Sequence, residues 1–286
     1  MRARMPQDKT VTDVKDFWEA NPLFTGETEF EPGTRAFFEH HRQVVIDDCF
    51  AGNLPDHLFP QKSNKERVLD LGCGPGMWSI ELLKRGAEHV TSADLTAQAV
   101  ALVQKRAQIY DLQVEASQQN AEAMTFEDAA FSHVNCQGVI HHTPDTQACV
   151  REIARVLRPG GTAMISVYYR NVFISLWPVL RYAGLILGKL GGGLKGRGRE
   201  QIMQNADVDE IVRLYDGAEN PIGKSYSKQQ YIDLLSPHFE VEEIFYHFFP
   251  ARALPFPIPA ALHRFLDKHA GFMIYARLRK PDVSQD

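Results

Sequence analysis

One glycine-rich segment constrains the fold of this chain more than any other feature. It reads RVLDLGCGPGMWSIELLKRG, residues 67–86, and places glycines at every second position between an apolar run and a helical pattern. A turn of this kind joins a β-strand to an α-helix and lets the backbone approach a nucleotide-like ligand.

Strands and helices alternate from this segment onward. Such alternation predicts a mostly parallel sheet with helices on both faces, and it places ligands beyond the carboxyl ends of the strands. The predicted strands are 67–72, 89–95, 113–121 and 162–170, together with a strand that runs into a loop within 132–142. The predicted helices are 77–86, 96–111 and 145–157, followed by an RPGG turn at 158–161.

Segments on both sides of this core lack the alternation. The chain is therefore divided into a helical N-terminal arm (1–66), the core (67–170), a helical cap insert (171–225) and a C-terminal part (226–286). The insert contains a GGGLKGRGRE tract, which predicts a flexible loop. The C-terminal part predicts a helix and two strands, joined by a proline-rich connection.

Composition excludes several classes of protein. The 286 residues carry a formal net charge of −5, which is a poor basis for binding nucleic acid. Four cysteines without paired or metal-site spacing indicate reduced thiols in the cytoplasm and no metal. The N-terminus has no apolar signal sequence.

The apolar segment 171–190 has Arg181 near its middle, which argues against stable membrane insertion. A buried helix, an interfacial helix and the wall of a lipophilic pocket remain open for this segment.

The glycine turn fits few nucleotides. The third glycine of a dinucleotide fingerprint would fall at Met77, which disfavours a nicotinamide oxidoreductase, and no P-loop lysine follows. Asp70 would repel a pyrophosphate but could bind an ammonium group, directly or through water. Asp94, at the end of the next strand, can accept hydrogen bonds from both hydroxyls of a ribose. An amine, a ribose and no phosphate between them describe S-adenosylmethionine (SAM).

Five motifs in order resemble those of class I SAM-dependent methyltransferases of the type-11 small-molecule group. They are VLDLGCGPG, ADL, QNAEAMTF, GVIHHTPDT and EIARVLRPGG, within residues 66–170. The resemblance implies a Rossmann-like fold with a mostly parallel seven-stranded sheet that ends in an antiparallel strand pair. It also implies SAM as cofactor and S-adenosylhomocysteine as product.

The resemblance implies a set of cofactor-binding positions. Asp70 would serve the amino group, the turn would approach the sulfonium, Asp94 would hold the ribose, and Leu95 would pack on the adenine. Asn120 stands where the family usually has aspartate, and its carboxamide oxygen can still accept a hydrogen bond. The full set is Asp70, Gly72, Cys73, Gly74, Gly76, Asp94, Leu95, Asn120, Ala121 and Gln137.

Two histidines follow the fourth core strand, at the edge where a transferred methyl group should lie. His141 or His142 could take a proton from an acceptor. Alternatively, the HHTPD segment orders the loop and caps the next helix through Asp145.

Five aromatic residues are candidates for the acceptor pocket, the last of them a weaker one. The alternative for the N-terminal pair is a helix face that docks on the sheet, and for the strand-end pair it is packing in the core and the cap. The N-terminal pair could form a lid, and an aromatic face suits a sulfonium. The strand-end pair points to opposite faces, so at most one of them is expected to meet the acceptor. These residues are Trp18, Phe24, Tyr168, Tyr169 and Tyr226. The DGAEN loop, 216–220, is a weaker candidate.

The expected function is transfer of a methyl group from SAM to oxygen, sulfur or carbon of a small molecule, either an apolar or aromatic acceptor or a small thiol. A protein or RNA methyltransferase is the second reading, disfavoured by the net charge and by the lack of an (N/D)PPY motif. A SAM-binding scaffold without turnover is the third. A homodimer is left open.

Overall fold

The structure, a computed structural model, describes residues 9–189, 207–251 and 256–282, together with Ile202, Gln204, Asn205 and Leu254. The GGGLKGRGRE tract lies outside the described residues.

Ten helices and eight strands make up the described part of the chain. The helices are α1 Val11–Ala20, α2 Arg35–Phe50, α3 Met77–Lys84, α4 Ala97–Ile109, α5 Thr146–Val156, α6 Val172–Ser175, α7 Trp177–Lys189, α8 Val208–Tyr215, α9 Lys228–Leu235 and α10 Ala260–Ala270. The strands are β1 Arg67–Leu71, β2 His89–Asp94, β3 Glu115–Gln118, β4 Phe131–Gln137, β5 Leu157–Tyr169, β6 Ser225–Tyr226, β7 Glu240–His247 and β8 Met273–Arg279. Single 3-10 turns are formed at Asp56–Leu58, Lys62–Asn64 and Ile140–His142.

The sheet has the predicted Rossmann-like topology. Its strand order is β3-β2-β1-β4-β5-β8-β7, with parallel pairing from β3 to β5 and antiparallel pairing of β8 with both neighbours. The seven predicted strands form this path, and one further strand lies off it. The eighth is the two-residue β6, which pairs with Tyr168 and Tyr169 and is too short to leave a periodic pattern.

Three local predictions were wrong. The RPGG segment continues β5 as an irregular strand start, because the register against β4 shifts between Phe131 and His133. The proline-rich connection contains α10, which begins directly after Pro259. Helix α8 was not predicted, although Asp207 caps its first turn.

Apolar residues of the strands alternate between two cores, one on each face of the sheet. Leu69 and Leu71 pack in one cluster with α5 and α9, whereas Val68 packs in the other with α2 and α3. Helices therefore cover both faces, as predicted.

A buried arginine attaches the N-terminal arm to the core. Arg106 of α4 is 1% exposed, and its guanidinium donates to the carbonyls of Phe38 (3.1 Å) and Pro75 (3.2 Å). Burial lowers the pKa of Arg106 to about 10, so the group stays charged at neutral pH. One side chain thus joins α2, α4 and the glycine turn.

Helix α1 has its own anchor on α4. The carboxylate of Glu19 accepts hydrogen bonds from the backbone N–H groups of Ala97 (2.9 Å) and Gln98 (3.0 Å), the first residues of α4. Free N–H groups and the helix dipole both favour a carboxylate at this position. The contact holds α1 across the carboxyl edge of the sheet.

Substitution of Gly76 tests the close packing of the turn on α4. Both Gly76 and Gly138 have a φ of +76°, but a Cβ at Gly76 would lie 2.4 Å from Val103 Cγ2, whereas one at Gly138 would meet nothing within 4 Å. We expect Gly76→Ala to reduce the free energy of unfolding by about 2 kcal/mol more than Gly138→Ala, because overpacking adds to backbone strain. Urea titration measures both. Equal losses would show that α4 moves aside without cost.

Candidate active site

A cavity of about 160 Å³ lies beyond the carboxyl ends of β1, β2 and β4, between the glycine turn and helix α1. Its wall is largely apolar, with a few polar groups from the strand ends and the loops after them. It is lined by nine of the residues singled out in the sequence: Trp18, Gly72, Gly74, Asp94, Leu95, Asn120, Ala121, Gln137 and His142. Eight others do not line it: Phe24, Asp70, Cys73, Gly76, His141, Tyr168, Tyr169 and Tyr226.

Asp94 connects the glycine turn to the end of β2. One carboxylate oxygen accepts from the N–H of Gly74 at 3.0 Å, and the other accepts from the N–H (3.0 Å) and hydroxyl (2.9 Å) of Thr96. Burial raises the pKa of Asp94, while these hydrogen bonds act in the opposite direction. The carboxylate is held in one orientation at the cavity wall, where its remaining lone pairs can accept ribose hydroxyls.

Asp70 does not line the cavity, but it orients two amide side chains that lead to the cavity wall. It is 1% exposed, and its oxygens accept from the Ser79 hydroxyl (2.6 Å) and from Asn135 Nδ2 (2.8 Å). Asn135 Oδ1 in turn accepts from Gln137 Nε2 at 2.7 Å. Because a carboxylate only accepts, this chain fixes the orientation of both amides.

The end of that chain is an unpaired acceptor. Gln137 Oε1 is buried at the cavity wall without a hydrogen-bond partner in the described part of the chain. Buried polar atoms are normally paired, so an unpaired one in a binding cavity indicates a ligand donor. An ammonium group is such a donor.

The side expected to hold the adenine is formed by Leu95, Asn120 and Ala121. Asn120 Oδ1, the predicted acceptor, already accepts from the N–H of Glu122 at 3.0 Å, which leaves it one lone pair. Gln118 Nε2 donates to the carbonyl of Leu95 at 2.7 Å and fixes the loop after β2.

The two turn residues that do not line the cavity shape its backbone. Gly76 caps α3, and the N–H of Cys73 donates to the carbonyl of Ala93 at 3.0 Å. Burial raises the pKa of the Cys73 thiol well above its usual value, so this group stays protonated.

His142 meets the cavity from the opposite side. Its Nδ1 lies 2.8 Å from the carbonyl of Ile222 and must donate to it, because a carbonyl only accepts. In the neutral ring Nε2 is then the acceptor, and it lies 3.5 Å from Asp216 Oδ2.

His141 is a core residue. It is 1% exposed, and its ring packs 4.1 Å from that of His142 and 4.4 Å from that of Tyr168. Burial lowers the pKa of His141 well below its usual value, and His142 and Lys224 add to the effect. Only one of the two histidines thus faces the cavity, because adjacent residues of a 3-10 turn point in different directions.

Trp18 lines the cavity and Phe24 does not. The indole of Trp18 packs edge-on against the ring of His142, with centroids 5.4 Å apart. Phe24 is buried against Phe37 and His41 within the N-terminal arm.

None of the three candidate tyrosines lines the cavity. Tyr168 donates to both oxygens of Asp216 at 3.0 Å, so it contacts the carboxylate that faces His142. Tyr169 points to the other face of the sheet and packs on Tyr246, with ring centroids 4.7 Å apart. Tyr226 donates to the hydroxyl of Thr146 at 3.1 Å.

The residues present fit SAM. Gln137 Oε1 offers an acceptor for the ammonium group, Asp94 offers one for the ribose, and Leu95 offers an apolar contact for the adenine. Among the described residues no cluster of His, Cys, Asp or Glu has the arrangement of a metal site.

Sequence reasoning missed the side chains that support the site without lining the cavity. Asn135 lies in the middle of β4 and reads as an ordinary strand residue, although a polar residue inside a buried strand is a signal. Asp216 was only a weak candidate, since it lies 74 positions after His142. Glu19 carried no local pattern.

The core of the chain is similar to known proteins. A family model described as a methyltransferase domain matches residues 68–161. The ubiquinone biosynthesis O-methyltransferase of Idiomarina loihiensis is 31% identical over 170 residues, which cover 59% of this chain and 65% of that protein. The ubiquinone biosynthesis O-methyltransferase of an Azoarcus species is 30% identical over 177 residues, which cover 59% of this chain and 75% of that protein. The chain therefore spans slightly less than two thirds of the first relative and three quarters of the second.

A solved structure extends the likeness in fold. A SAM-dependent methyltransferase from Methanosarcina mazei superposes with a TM-score of 0.56 at 20% identity, over 81% of this chain and 100% of that chain.

The buried Asp70 should make stability depend on pH in a particular direction. Burial raises its pKa to about 6 from an ordinary value of 3.8, against the hydrogen bonds of Ser79 and Asn135. The folded protein therefore holds the extra proton between these values, and ionisation of Asp70 removes stability as pH rises through this window.

Asp70→Asn removes that titration. We expect the variant to gain about 3 kcal/mol relative to the parent between pH 4 and pH 7, at about 1.4 kcal/mol for each unit of pKa. Denaturant titrations of both proteins across this range measure the difference. Parallel curves would mean that Asp70 titrates at its ordinary value.

Proposed function

The chain belongs to the family of class I SAM-dependent methyltransferases, and from that premise we propose that it methylates a hydroxyl group of a small aromatic acceptor. One observation supports this proposal above the others. The cavity that offers Asp94 and Gln137 to the cofactor also contains His142 and Trp18, within reach of the same ligand edge.

SAM is the cofactor of this family, as the motifs predicted. When bound, it supplies a methyl group that is attached to a positively charged sulfur. After transfer, this sulfur is the neutral thioether of S-adenosylhomocysteine. The chain's own part is to hold this cofactor, align the acceptor and exclude water. Asp94 would orient the ribose, Gln137 would bind the ammonium group, and α1 would shield the cavity from solvent.

His142 is proposed as the general base. Its Nδ1–H bond to Ile222 makes Nε2 the basic ring nitrogen, which would take the proton of an acceptor hydroxyl as the oxygen–carbon bond forms and the carbon–sulfur bond breaks. Asp216, 3.5 Å away, would stabilise the resulting imidazolium, and Tyr168 would hold Asp216 in place.

Oxygen is the favoured acceptor atom for two reasons. The relatives are named O-methyltransferases of ubiquinone biosynthesis, and a base beside the cavity is needed chiefly when a hydroxyl must lose its proton. The apolar wall and the edge of Trp18 suit an aromatic ring. A thiol or a carbon acceptor would need less help from His142.

A transfer assay separates the candidate functions. The purified protein is incubated with methyl-labelled SAM and cell extract, and label is counted in small molecules, protein and nucleic acid. Label in a small aromatic product supports the proposal, and label only in macromolecules would replace it with a protein or RNA methyltransferase. Tight S-adenosylhomocysteine binding without any label would favour the scaffold.

Four free cysteines support the proposal of a reducing, cytoplasmic location.

Asp94→Asn should weaken cofactor binding. We expect the dissociation constant for S-adenosylhomocysteine to rise by a factor equivalent to about 1 to 3 kcal/mol, because a charged hydrogen-bond acceptor is lost. Isothermal calorimetry measures it, with Glu115→Gln on the neighbouring strand as control. Unchanged affinity would mean that the ribose lies elsewhere.

His142→Gln should slow transfer with little effect on cofactor affinity. We expect kcat to fall about 100-fold, the usual contribution of a general base. His89→Gln, at the far end of β2, is the matched control. Full activity of His142→Gln would show that the acceptor ionises without this base.

A further inference from the structure

The chain returns to the candidate site after helix α8. Residues 216–226, which end in the short strand β6, pack along the loop after β4, residues 138–146. We name the first stretch the 216–226 segment and the second the histidine loop. None of the helices within the described residues has the length and apolar character that spanning a membrane requires.

Lys224 of the 216–226 segment makes three side-chain hydrogen bonds with the histidine loop. Its Nζ donates to the carbonyls of Thr143 (2.7 Å) and Pro144 (2.8 Å) and to the hydroxyl of Thr146 (3.0 Å). An ammonium group has three donors and no acceptor, so these contacts use all of its donors. Lys224 is half-buried and has lost part of its hydration, which these acceptors replace.

The residues that Lys224 holds belong to the cavity wall. Thr143 and Pro144 line the cavity, whereas Lys224 does not. On the other side of the histidine loop, the N–H of Asp145 donates to Glu122 Oε1 at 2.7 Å. A cation thus binds two carbonyls of the loop and a carboxylate binds one of its N–H groups, so the loop is fixed from two sides.

The same contacts control which ring nitrogen of His142 is basic. The Nδ1–H of His142 donates to the carbonyl of Ile222 at 2.8 Å, and the partner of one ring nitrogen determines the tautomer. Ile222 lies two positions before Lys224, whose backbone N–H also donates to the carbonyl of His141 at 3.1 Å. Lys224 therefore holds the carbonyl of Ile222 against the loop that carries His142.

We propose that Lys224 is a positioning residue for methyl transfer, which fixes His142 in the tautomer with a basic Nε2. This inference rests on the proposed function, in which His142 is the general base. Lys224 acts through the histidine loop and lines no part of the cavity itself. Without its ammonium group, the Nδ1–H of His142 would exchange between Ile222 and water, and both tautomers would be populated.

The two stretches have a second connection that does not involve Lys224. The hydroxyl of Tyr226 donates to the hydroxyl of Thr146 at 3.1 Å, and strand β6 pairs with the end of β5. These contacts should keep the 216–226 segment in place when Lys224 is substituted. We therefore expect substitution to loosen the histidine loop without unfolding the chain.

Nuclear magnetic resonance of the full chain with ¹⁵N-labelled histidine measures the tautomer directly. Long-range ¹H–¹⁵N spectra at pH about 8.5, above the ordinary pKa of histidine, show which ring nitrogen carries hydrogen. The signals that His142→Gln removes belong to His142. We expect the Nδ1–H tautomer alone in the parent and both tautomers in Lys224→Met. Lys224→Arg, which keeps the charge and the donors, should restore the parent spectrum, and Lys228→Met on the exposed start of α9 is the matched control.

Methyl transfer gives an independent measurement. The acceptor source is the small-molecule fraction of the cell extract, with methyl-labelled SAM at saturation. We expect the initial rate of Lys224→Met to fall about tenfold, because a displaced base reacts more slowly. The dissociation constant for S-adenosylhomocysteine should not change. In the His142→Gln background most of the effect of Lys224→Met should disappear, since contributions that act through one residue are not additive.

Two results would overturn the proposal. One is an unchanged Nδ1–H tautomer in a Lys224→Met protein that still binds S-adenosylhomocysteine, and the other is equal slowing in the parent and His142→Gln backgrounds. If Lys224→Met does not bind S-adenosylhomocysteine, the spectra of Lys224→Gln, which keeps an amide donor, decide in the same way. Full activity of His142→Gln would instead contradict the proposed function, and the tautomer spectra distinguish that failure from this one.

Discussion

The turn after β1 passes so close to two neighbours that side chains are excluded from it. A Cβ at Gly72 would lie 2.2 Å from Val139 Cγ2 in the loop after β4, and one at Gly76 would lie 2.4 Å from Val103 Cγ2 on α4. The loop after β4 and helix α4 therefore pack directly against the turn. The cavity lies beside this packing, and Asp94 on its wall is held by the backbone N–H of Gly74.

The two acids of the cofactor motifs have different roles. Asp94 faces the cavity and is held by N–H groups of the turn, so it can contact a ligand directly. Asp70 is buried behind the turn and sets the direction of Asn135, which sets the direction of Gln137. A carboxylate in the core costs solvation energy, and its raised pKa of about 6 expresses that cost. What it provides is an oriented amide oxygen at the cavity wall.

The sequence alone could predict those features that depend on local pattern. Strand and helix periodicity predicted the parallel sheet, and the spacing of the acids predicted the strand ends where a ligand binds. The family resemblance to SAM-dependent methyltransferases is confirmed. Periodicity could not show that His141 and His142 point apart, because a 3-10 turn has no strand or helix period. It also missed α10, whose sequence follows a run of prolines.

Contacts between distant segments were beyond sequence reasoning for a physical reason. The pair Glu19 and Ala97 is joined only once α1 and α4 are packed, and so is the pair His142 and Asp216. Neither Glu19 nor Asp216 lies in a local sequence pattern that indicates its distant partner. Such residues are found by asking which donors and acceptors remain unpaired in the assembled fold, as for Gln137.

The two anchors of the N-terminal arm differ in strength, and this difference bears on how a ligand enters the cavity. Helix α1 supplies Val11, Val14 and Trp18 to the cavity wall, but its hydrogen bonds to α4 come from the half-buried carboxylate of Glu19, worth about 0.3 to 2 kcal/mol at a helix terminus. Helix α2 is held by the buried guanidinium of Arg106. We therefore expect α1 to open while α2 stays packed. Hydrogen exchange should be faster in the amides of α1 than in those of α2, and the reverse order would contradict this route.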